Sequence, residues 1–164
     1  CFIISPIGKK INVKAQDLET NEPLDCTRFI KEDYTNPTYV QEANAAQLYP
    51  TRSRLDMWRI NKREPIQEDT IIHTITCNMD RSNTAAMLQY EGPKGNSFRL
   101  LTIREAFLLM GFTDEEYERA TKTGLSYRKM NKLIGNSIVV NVLEEIFRFL
   151  FSNKYGVKED VKDE

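Results

Sequence analysis

Polar side chains that can read nucleobase edges gather between residues 74 and 83. Thr74 and Thr76 flank a branched apolar residue, and Arg81 and Asn83 follow shortly after them. An arginine can donate two hydrogen bonds to guanine, and an asparagine can pair at two points with adenine. Arg81 and Asn83 therefore have the side-chain chemistry to contact base edges. A surface hairpin whose polar residues face water is the alternative.

A cluster of basic residues precedes that segment. Between residues 51 and 63, five arginines and lysines stand against one acidic residue, Asp56. Such a cluster suits phosphate groups better than base edges. Trp58 lies within it and is interpreted as a packing residue. The predicted phosphate contacts are Arg52, Arg54, Arg59 and Arg63.

The overall composition neither requires nor excludes a nucleic-acid partner. The chain has 23 Lys and Arg against 24 Asp and Glu, whereas proteins that bind nucleic acid by charge alone are usually basic. A local basic cluster can still bind phosphates. No apolar run approaches the roughly 18 residues of a membrane span, and no signal peptide opens the chain. We expect a cytoplasmic protein with no membrane partner.

The cysteines give no sign of a metal centre. Cys1, Cys26 and Cys77 are scattered and form no closely spaced pair, and His73 is the single histidine of the sequence. Zinc sites need such ligands at short spacing, so we expect no metal. An odd number of scattered cysteines is typical of reduced thiols in a cytoplasm.

Two helix starts are readable near the end of the chain. Thr102–Glu105 and Thr113–Glu116 both match the capping box, in which a threonine and a glutamate satisfy each other's backbone N–H groups. Gly111, between them, suits a helix end with positive φ. Two short helices are therefore predicted, beginning after Thr102 and Thr113.

A third helix is predicted to begin at Asn136 or Ser137 and to run to about Lys154. Its apolar residues recur at three- and four-residue spacing, which predicts one broad apolar face that must be buried. A larger missing domain is the partner that we expect for it. The face comprises Val139, Val142, Leu143, Ile146, Phe147, Leu150 and Phe151.

The rest of the chain predicts short strands in an irregular framework. Residues 1–13 indicate one or two strands, and the β-branched run Ile71–Cys77 indicates another. A hairpin is predicted from Thr84–Tyr90 and Ser97–Leu101. A helix over about Tyr39–Leu48 completes the prediction.

The closing blocks resemble the ninth and tenth motifs of DNA cytosine-5 methyltransferases. Both occur in the family's order, separated by a short helical linker. Ile103 and Leu133 depart from the usual proline and glutamine. The ninth motif is matched by Arg99, Leu101, Thr102, Arg104, Glu105, Gly111 and Phe112, and the tenth by Gly135, Asn136, Ser137 and Ile138.

The resemblance implies a place for S-adenosyl-L-methionine beside the tenth motif. Asn136, Ser137 and Ile138 are the predicted cofactor contacts, because a capped helix N-terminus offers free N–H groups to a ligand. The alternative is that Asn136 only caps its own helix. Arg104 and Glu105, in the ninth motif, are predicted to orient the small domain rather than to contact the substrate.

The resemblance also shows what this sequence lacks. The family's nucleophilic cysteine follows a proline, and no Pro-Cys pair occurs here, so no catalytic residue is assigned. The chain alone is expected to be inactive. Cys1–Ser5 has the pattern of a strand, and a natural chain seldom begins within a strand because the strand edge must be paired or covered. We therefore expect a catalytic domain in the same or a companion chain.

The resemblance therefore predicts an α+β fold: an irregular strand-containing recognition lobe followed by short C-terminal helices, the small domain of a two-domain methyltransferase. The expected function is target recognition in double-stranded DNA for a restriction–modification enzyme. The alternatives are a stand-alone DNA-binding or protein-interaction module and the second subunit of a naturally split methyltransferase.

The predicted segments are 1–13 at the catalytic-domain edge, 14–97 for target recognition, 98–131 for the ninth motif and linker, 132–155 for the tenth motif and last helix, and 156–164 as a tail.

Overall fold

The computed structural model describes residues 2–4, 10–12, 25–61, 64–67, 70, 72, 74–79, 86–95 and 97–151. The chain forms two compact units, one of Cys1–Pro23 with Ile138–Glu164 and one of Leu24–Ser137. Short antiparallel strands and several helices confirm the predicted α+β class. The elements are β1 (Phe2–Ile4), β2 (Lys10–Asn12), a 3-10 helix (Cys26–Phe29), α1 (Pro37–Ala46), α2 (Arg52–Ile60), β3 (Met87–Gln89), β4 (Phe98–Leu100), α3 (Ile103–Leu109), α4 (Asp114–Lys122), α5 (Tyr127–Asn136) and α6 (Val140–Phe151).

The first unit contains the β1–β2 sheet and helix α6. The two strands are antiparallel, with Ile3 opposite Ile11, and they lie within the predicted strand region 1–13. No residue of α6 is buried, and Phe147 and Phe151 are 52% and 77% exposed. The apolar face predicted from the sequence is present, with Val142, Phe147 and Phe151 exposed and its other members half-buried. Within the described residues, no helix combines the length and the apolar character needed to cross a membrane.

An apolar core in the second unit joins α2 to the β3–β4 hairpin. The strands are antiparallel, as predicted, with Leu88 opposite Arg99. Trp58, Met87 and Leu100 form a buried cluster, and the Phe98 ring lies edge-on to Trp58 at 6.0 Å. The burial of Trp58 confirms its interpretation as a packing residue.

Helix α1 begins at two strong start signals. The Asn36 side chain accepts a hydrogen bond from the Thr38 N–H at 2.9 Å, and Pro37 occupies the first turn, where its missing N–H costs nothing. The helix ends at Ala46. The predicted helix over Tyr39–Leu48 is confirmed with its bounds shifted by two residues.

Both predicted capping boxes are formed. The Glu105 N–H donates to Thr102 Oγ1 at 3.1 Å, and the Thr102 N–H donates to Glu105 Oε2 at 2.8 Å. Thr113 and Glu116 repeat the arrangement at 3.2 and 2.8 Å. Gly111 follows α3 with a φ of 88°, a conformation that favours glycine. The starts of α3 and α4 are therefore set by local hydrogen bonds.

Two predictions about secondary structure are wrong. Ile72 and Thr74–Cys77, the described part of the predicted strand Ile71–Cys77, lie in no strand. The last helix does not begin at Asn136 or Ser137, because Asn136 is the final residue of α5 and Ser137 is its C-cap. Residues 98–151 thus contain four helices rather than three. A strand needs a hydrogen-bonded neighbour, which β-branched composition alone does not supply.

Candidate nucleic-acid interface

The close approach of Gly135 to the backbone of Thr76 and Cys77 is the central feature of this surface. A β-carbon on Gly135 would overlap the backbone nitrogen of Cys77 and come within 2.5 Å of the Thr76 carbonyl carbon. Glycine is therefore required here so that helix and loop can meet. The contact brings together two segments that lie far apart in the sequence, the base-reading candidates and the tenth motif.

Two of the predicted cofactor contacts, Asn136 and Ser137, lie at the C-terminal end of α5. Asn136 is exposed, so its amide can meet a ligand. The Ser137 hydroxyl donates a hydrogen bond to the Leu133 carbonyl at 2.8 Å, and Ile138 is 58% exposed. Because Asn136 ends a helix, the argument from a capped helix N-terminus does not apply to it. Its alternative role as an N-cap is wrong for the same reason.

The predicted base-reading residues are partly described. Thr74 is exposed and Thr76 is half-buried beside the α5 glycine. Met79, a few residues further on, is buried and anchors this stretch in the unit. Arg81 and Asn83 lie outside the described residues, so their base contacts stay a prediction.

Three of the four predicted phosphate contacts lie on α2, and they differ in exposure. Arg52 and Arg59 are both exposed, and Arg59 forms a 3.6 Å ion pair with Asp56 one turn away. Arg54 is half-buried and donates a hydrogen bond to the Tyr49 carbonyl at 2.5 Å. Arg63 lies outside the described residues. Arg52 and Arg59 are therefore better placed to meet a phosphate than Arg54.

A second basic surface lies on α5 and was not singled out from the sequence. Arg128, Lys129 and Lys132 are exposed, whereas Met130 and Ile134 are buried on the opposite face. The helix contains no acidic residue. The signal was readable: positions 128 and 132 are one helical turn apart, and apolar residues occupy the other face. No separate helix over residues 127–136 is predicted from the sequence, so its charged face is not predicted either.

A buried ion pair supports the framework behind these surfaces. The Arg99 guanidinium donates to both carboxylate oxygens of Glu105, each at 2.8 Å. Glu105 also accepts the Lys31 N–H at 2.9 Å. A buried charge is stable only when it is paired and hydrogen-bonded, and this pair meets both conditions. It ties β4 to α3 and to the segment after the 3-10 helix.

Arg104 forms a second, larger network at the start of α3. Its guanidinium lies 4.4 Å from the centre of the Tyr117 ring, and it is 5% exposed. It donates to three carboxylates from α1 and α4. These contacts join three helices and support the prediction that Arg104 and Glu105 orient the domain. The three carboxylates are those of Glu42 at 3.1 Å, Asp114 at 2.9 Å and Glu118 at 2.6 Å.

A cavity of about 570 Å³ opens elsewhere in the second unit. The Tyr34 and Tyr90 rings lie 5.1 Å apart at its wall, and Glu91 gives it an acidic edge. Its described lining includes no cation, so it does not suit a phosphate. Among the residues described, no three Cys, His, Asp or Glu side chains lie close enough together to hold a metal ion.

Comparison with known proteins identifies the relatives of this chain. Residues 7–152 match the family of C-5 cytosine-specific DNA methylases. The orphan methyltransferase M.SPRI of Bacillus phage SPR is 48% identical over 52 residues, which are 32% of this chain and 12% of that relative. The orphan methyltransferase M.Rho11sI of Bacillus phage rho11s is 44% identical over 52 residues, 32% of this chain and 10% of that relative. No solved structure is significantly similar.

Proposed function

Because the chain belongs to the family of C-5 cytosine-specific DNA methylases, we propose that it is the target-recognition and small-domain part of a DNA (cytosine-5-)-methyltransferase. The complete enzyme transfers a methyl group from S-adenosylmethionine to C5 of cytosine within a specific duplex sequence. The observation that carries the proposal is a family match over residues 7–152 in a sequence without a Pro-Cys pair. The chain then supplies recognition, and a catalytic domain supplies the nucleophile.

The surface around Gly135 supports a role in holding DNA. A cytosine must leave the base stack before its C5 can react, so the enzyme has to grip both strands and read the neighbouring bases. Thr74 is exposed on the loop that touches α5, and basic residues cover the outer face of α5. Arg52 and Arg59 on α2 remain the proposed phosphate contacts, and Arg81 and Asn83 the proposed base contacts.

The proposed role in cofactor binding is limited to an edge contact. S-adenosylmethionine supplies the transferred methyl group when it is bound. The exposed amide of Asn136 offers a donor and an acceptor, and the Ser137 oxygen retains acceptor capacity although its hydrogen is bonded to Leu133. These groups fit one side of a polar ligand. The other contacts to the ligand are proposed to come from Ile138 and from the catalytic domain.

The open face of α6 supports a docking role for the catalytic domain. Phe147 and Phe151 stack at 6.2 Å on that face while remaining largely exposed. Burying one such ring is worth roughly 1.5–3 kcal/mol. The relatives extend far beyond the matched segment, which is 12% of the first of them. A catalytic domain, in the same or a companion chain, is therefore the proposed occupant.

Reconstitution of methyl transfer tests the proposed function. Tritiated S-adenosylmethionine and duplex DNA are given to this chain, to a fragment with the family's catalytic motifs, and to their mixture. We expect methylation of cytosine only in the mixture. Activity of this chain alone, or no activity and no association in the mixture, would contradict the proposal. The restriction–modification setting stays a prediction, and protection of the product from a matching endonuclease tests it.

A pair of matched variants tests whether the apolar face of α6 binds the catalytic domain. Phe151→Ser should raise the concentration needed for half-maximal activity about tenfold or more, because an apolar contact worth over about 1.4 kcal/mol is lost. Ile60→Ser on α2 removes an apolar side chain of similar exposure, 74% against 77%, and should leave that concentration unchanged. Equal effects of the two variants would remove α6 from the interface.

A further inference from the structure

The outer face of α5 carries a positive charge that nothing in the described structure neutralises. Arg128, Lys129 and Lys132 are exposed, and none of them forms an ion pair within the described part of the chain. Two exposed arginines on α4 and α6 behave differently. Arg119 pairs with a glutamate one turn away, and Arg148 does the same. The α5 cations are therefore available to an external anion.

The positions of these cations work against the stability of the helix. Arg128 and Lys129 lie in the first turn of α5, which contains no acidic residue, and Ser126 makes no side-chain cap. The N-terminal end of a helix already carries partial positive charge, so a cation in the first turn destabilises the helix. Helix stability does not explain this arrangement. A bound anion would remove the unfavourable interaction.

The spacing along α5 fits a linear polyanion. Arg128 and Lys132 are separated by one turn, or roughly 6 Å along the helix axis. Successive phosphates of one DNA strand advance by about 3.4 Å along the duplex axis, so the two cations can reach neighbouring phosphates. Gly135, three residues after Lys132, contacts the Thr76–Cys77 backbone. The basic face thus ends beside the segment proposed to read bases.

We propose that Arg128, Lys129 and Lys132 bind the phosphodiester backbone of the target duplex next to the Thr74–Thr76 segment. The proposal rests on the proposed DNA-recognition function and adds the surface that sets the position of the DNA. Phosphate contacts of this kind fix register without reading sequence. Flexible lysines beside one arginine suit such contacts, because they act as mobile point charges.

Salt dependence of DNA binding tests the proposal on the 164-residue chain. Binding to a specific and to a random duplex is measured between about 50 and 200 mM salt, the range in which phosphate contacts dominate. The variant is Arg128→Gln with Lys132→Gln. The control is Arg119→Gln with Arg148→Gln, which removes the same charge at ion-paired sites. Circular dichroism checks that both variants fold.

The expected results are specific. The α5 variant should reduce the slope of log K against log salt by about 1.8 on both duplexes, because each lost phosphate contact removes about 0.9. The control should keep the slope of the unmodified chain. Equal slopes for the two variants would overturn this proposal and leave the proposed function standing. An unmodified chain that binds neither duplex would overturn both.

A protein partner is the competing assignment for the same face. Polyglutamate replaces DNA in a parallel titration with the same three proteins. Loss of polyglutamate binding in the α5 variant, with duplex binding unchanged, would assign the face to an acidic protein and overturn the proposal. Loss of duplex binding on both sequences, with the altered salt slope, supports it.

Discussion

The Arg99 guanidinium and the Glu105 carboxylate face each other through two hydrogen bonds of 2.8 Å, and neither side chain is exposed to solvent. Glu105 is also the second member of the α3 capping box, so one carboxylate closes a helix start and neutralises a buried cation. The Arg99 side chain further donates to the Tyr34 hydroxyl at 3.2 Å. Glu105 therefore takes part both in the cap of α3 and in the buried ion pair with Arg99.

Replacing Glu105 with glutamine should strongly destabilise the second unit. The substitution leaves Arg99 charged, buried and without its counter-ion, at a cost of about 3–5 kcal/mol. Urea unfolding measures the loss. Glu115→Gln, on the exposed side of α4, should change the free energy of unfolding by less than about 0.5 kcal/mol. The double variant Arg99→Met with Glu105→Leu should be more stable than Glu105→Gln, and the reverse order would contradict this account.

Arg104→Lys should also destabilise the protein although the charge is kept. Lysine is a point charge on a flexible stem and cannot reproduce the planar fork that meets Glu42, Asp114 and Glu118 together. Loss of at least one charged hydrogen bond is expected to cost about 1.5–3 kcal/mol in thermal or urea unfolding. Arg119→Lys at an exposed site is the matched control. If the Arg104→Lys variant proved as stable as that control, the network would contribute little.

Asp114 should make stability depend on pH in the acid range. Burial acts to raise its pKa, but hydrogen bonds from Lys31 and Arg104 outweigh burial, and the pKa of Asp114 lies below its usual 3.8. The folded state therefore favours the charged carboxylate. Its stabilising contribution is complete above about pH 3.8 and is lost as the pH falls through the lower folded pKa.

Asp114→Asn should flatten that acid dependence. Unfolding free energies are measured from neutral pH to below the usual pKa, with Asp56→Asn as the charge-matched control. The difference between the unmodified chain and Asp114→Asn should shrink as the pH falls. A difference that stays constant across this range would show that Asp114 does not contribute through its charge.

Gly135→Ala should destabilise the contact between α5 and the Thr76–Cys77 backbone. Alanine usually stabilises a helix by about 0.8–1 kcal/mol relative to glycine. Here its β-carbon would overlap backbone atoms that cannot rotate away, and such overpacking typically costs about 1–3 kcal/mol. We expect a net loss in urea unfolding and weaker DNA binding. Ser53→Ala on α2 is the control, and a more stable Gly135→Ala protein would contradict the close approach.

Arg81→Ala should weaken binding of the specific duplex by about 1–3 kcal/mol while affecting random DNA less, because a base contact is lost. Arg52→Ala, which removes a proposed phosphate contact, should weaken both duplexes similarly. Fluorescence anisotropy with the two DNAs measures each loss. An equal loss on both duplexes for Arg81→Ala would remove this residue from the proposed base contacts.

Features that act within one helical turn can be predicted from the sequence. The capping boxes at Thr102 and Thr113 are readable because each bond joins residues three positions apart, and Gly111 marks a helix end by its own conformational freedom. The family resemblance likewise depends on short blocks in a fixed order. Both kinds of signal are complete within a few residues.

Features that depend on residues distant in the sequence became known from the folded structure. An isolated glycine usually argues against a helix interior, and the reason for Gly135 is the backbone of Thr76 and Cys77, far earlier in the chain. Arg104 meets Glu42 across 62 positions, and no local pattern marks that pairing. The absence of a strand in the described part of Ile71–Cys77 has the same cause. Propensity is a property of one segment, whereas strand pairing and burial depend on which segments meet in the folded chain.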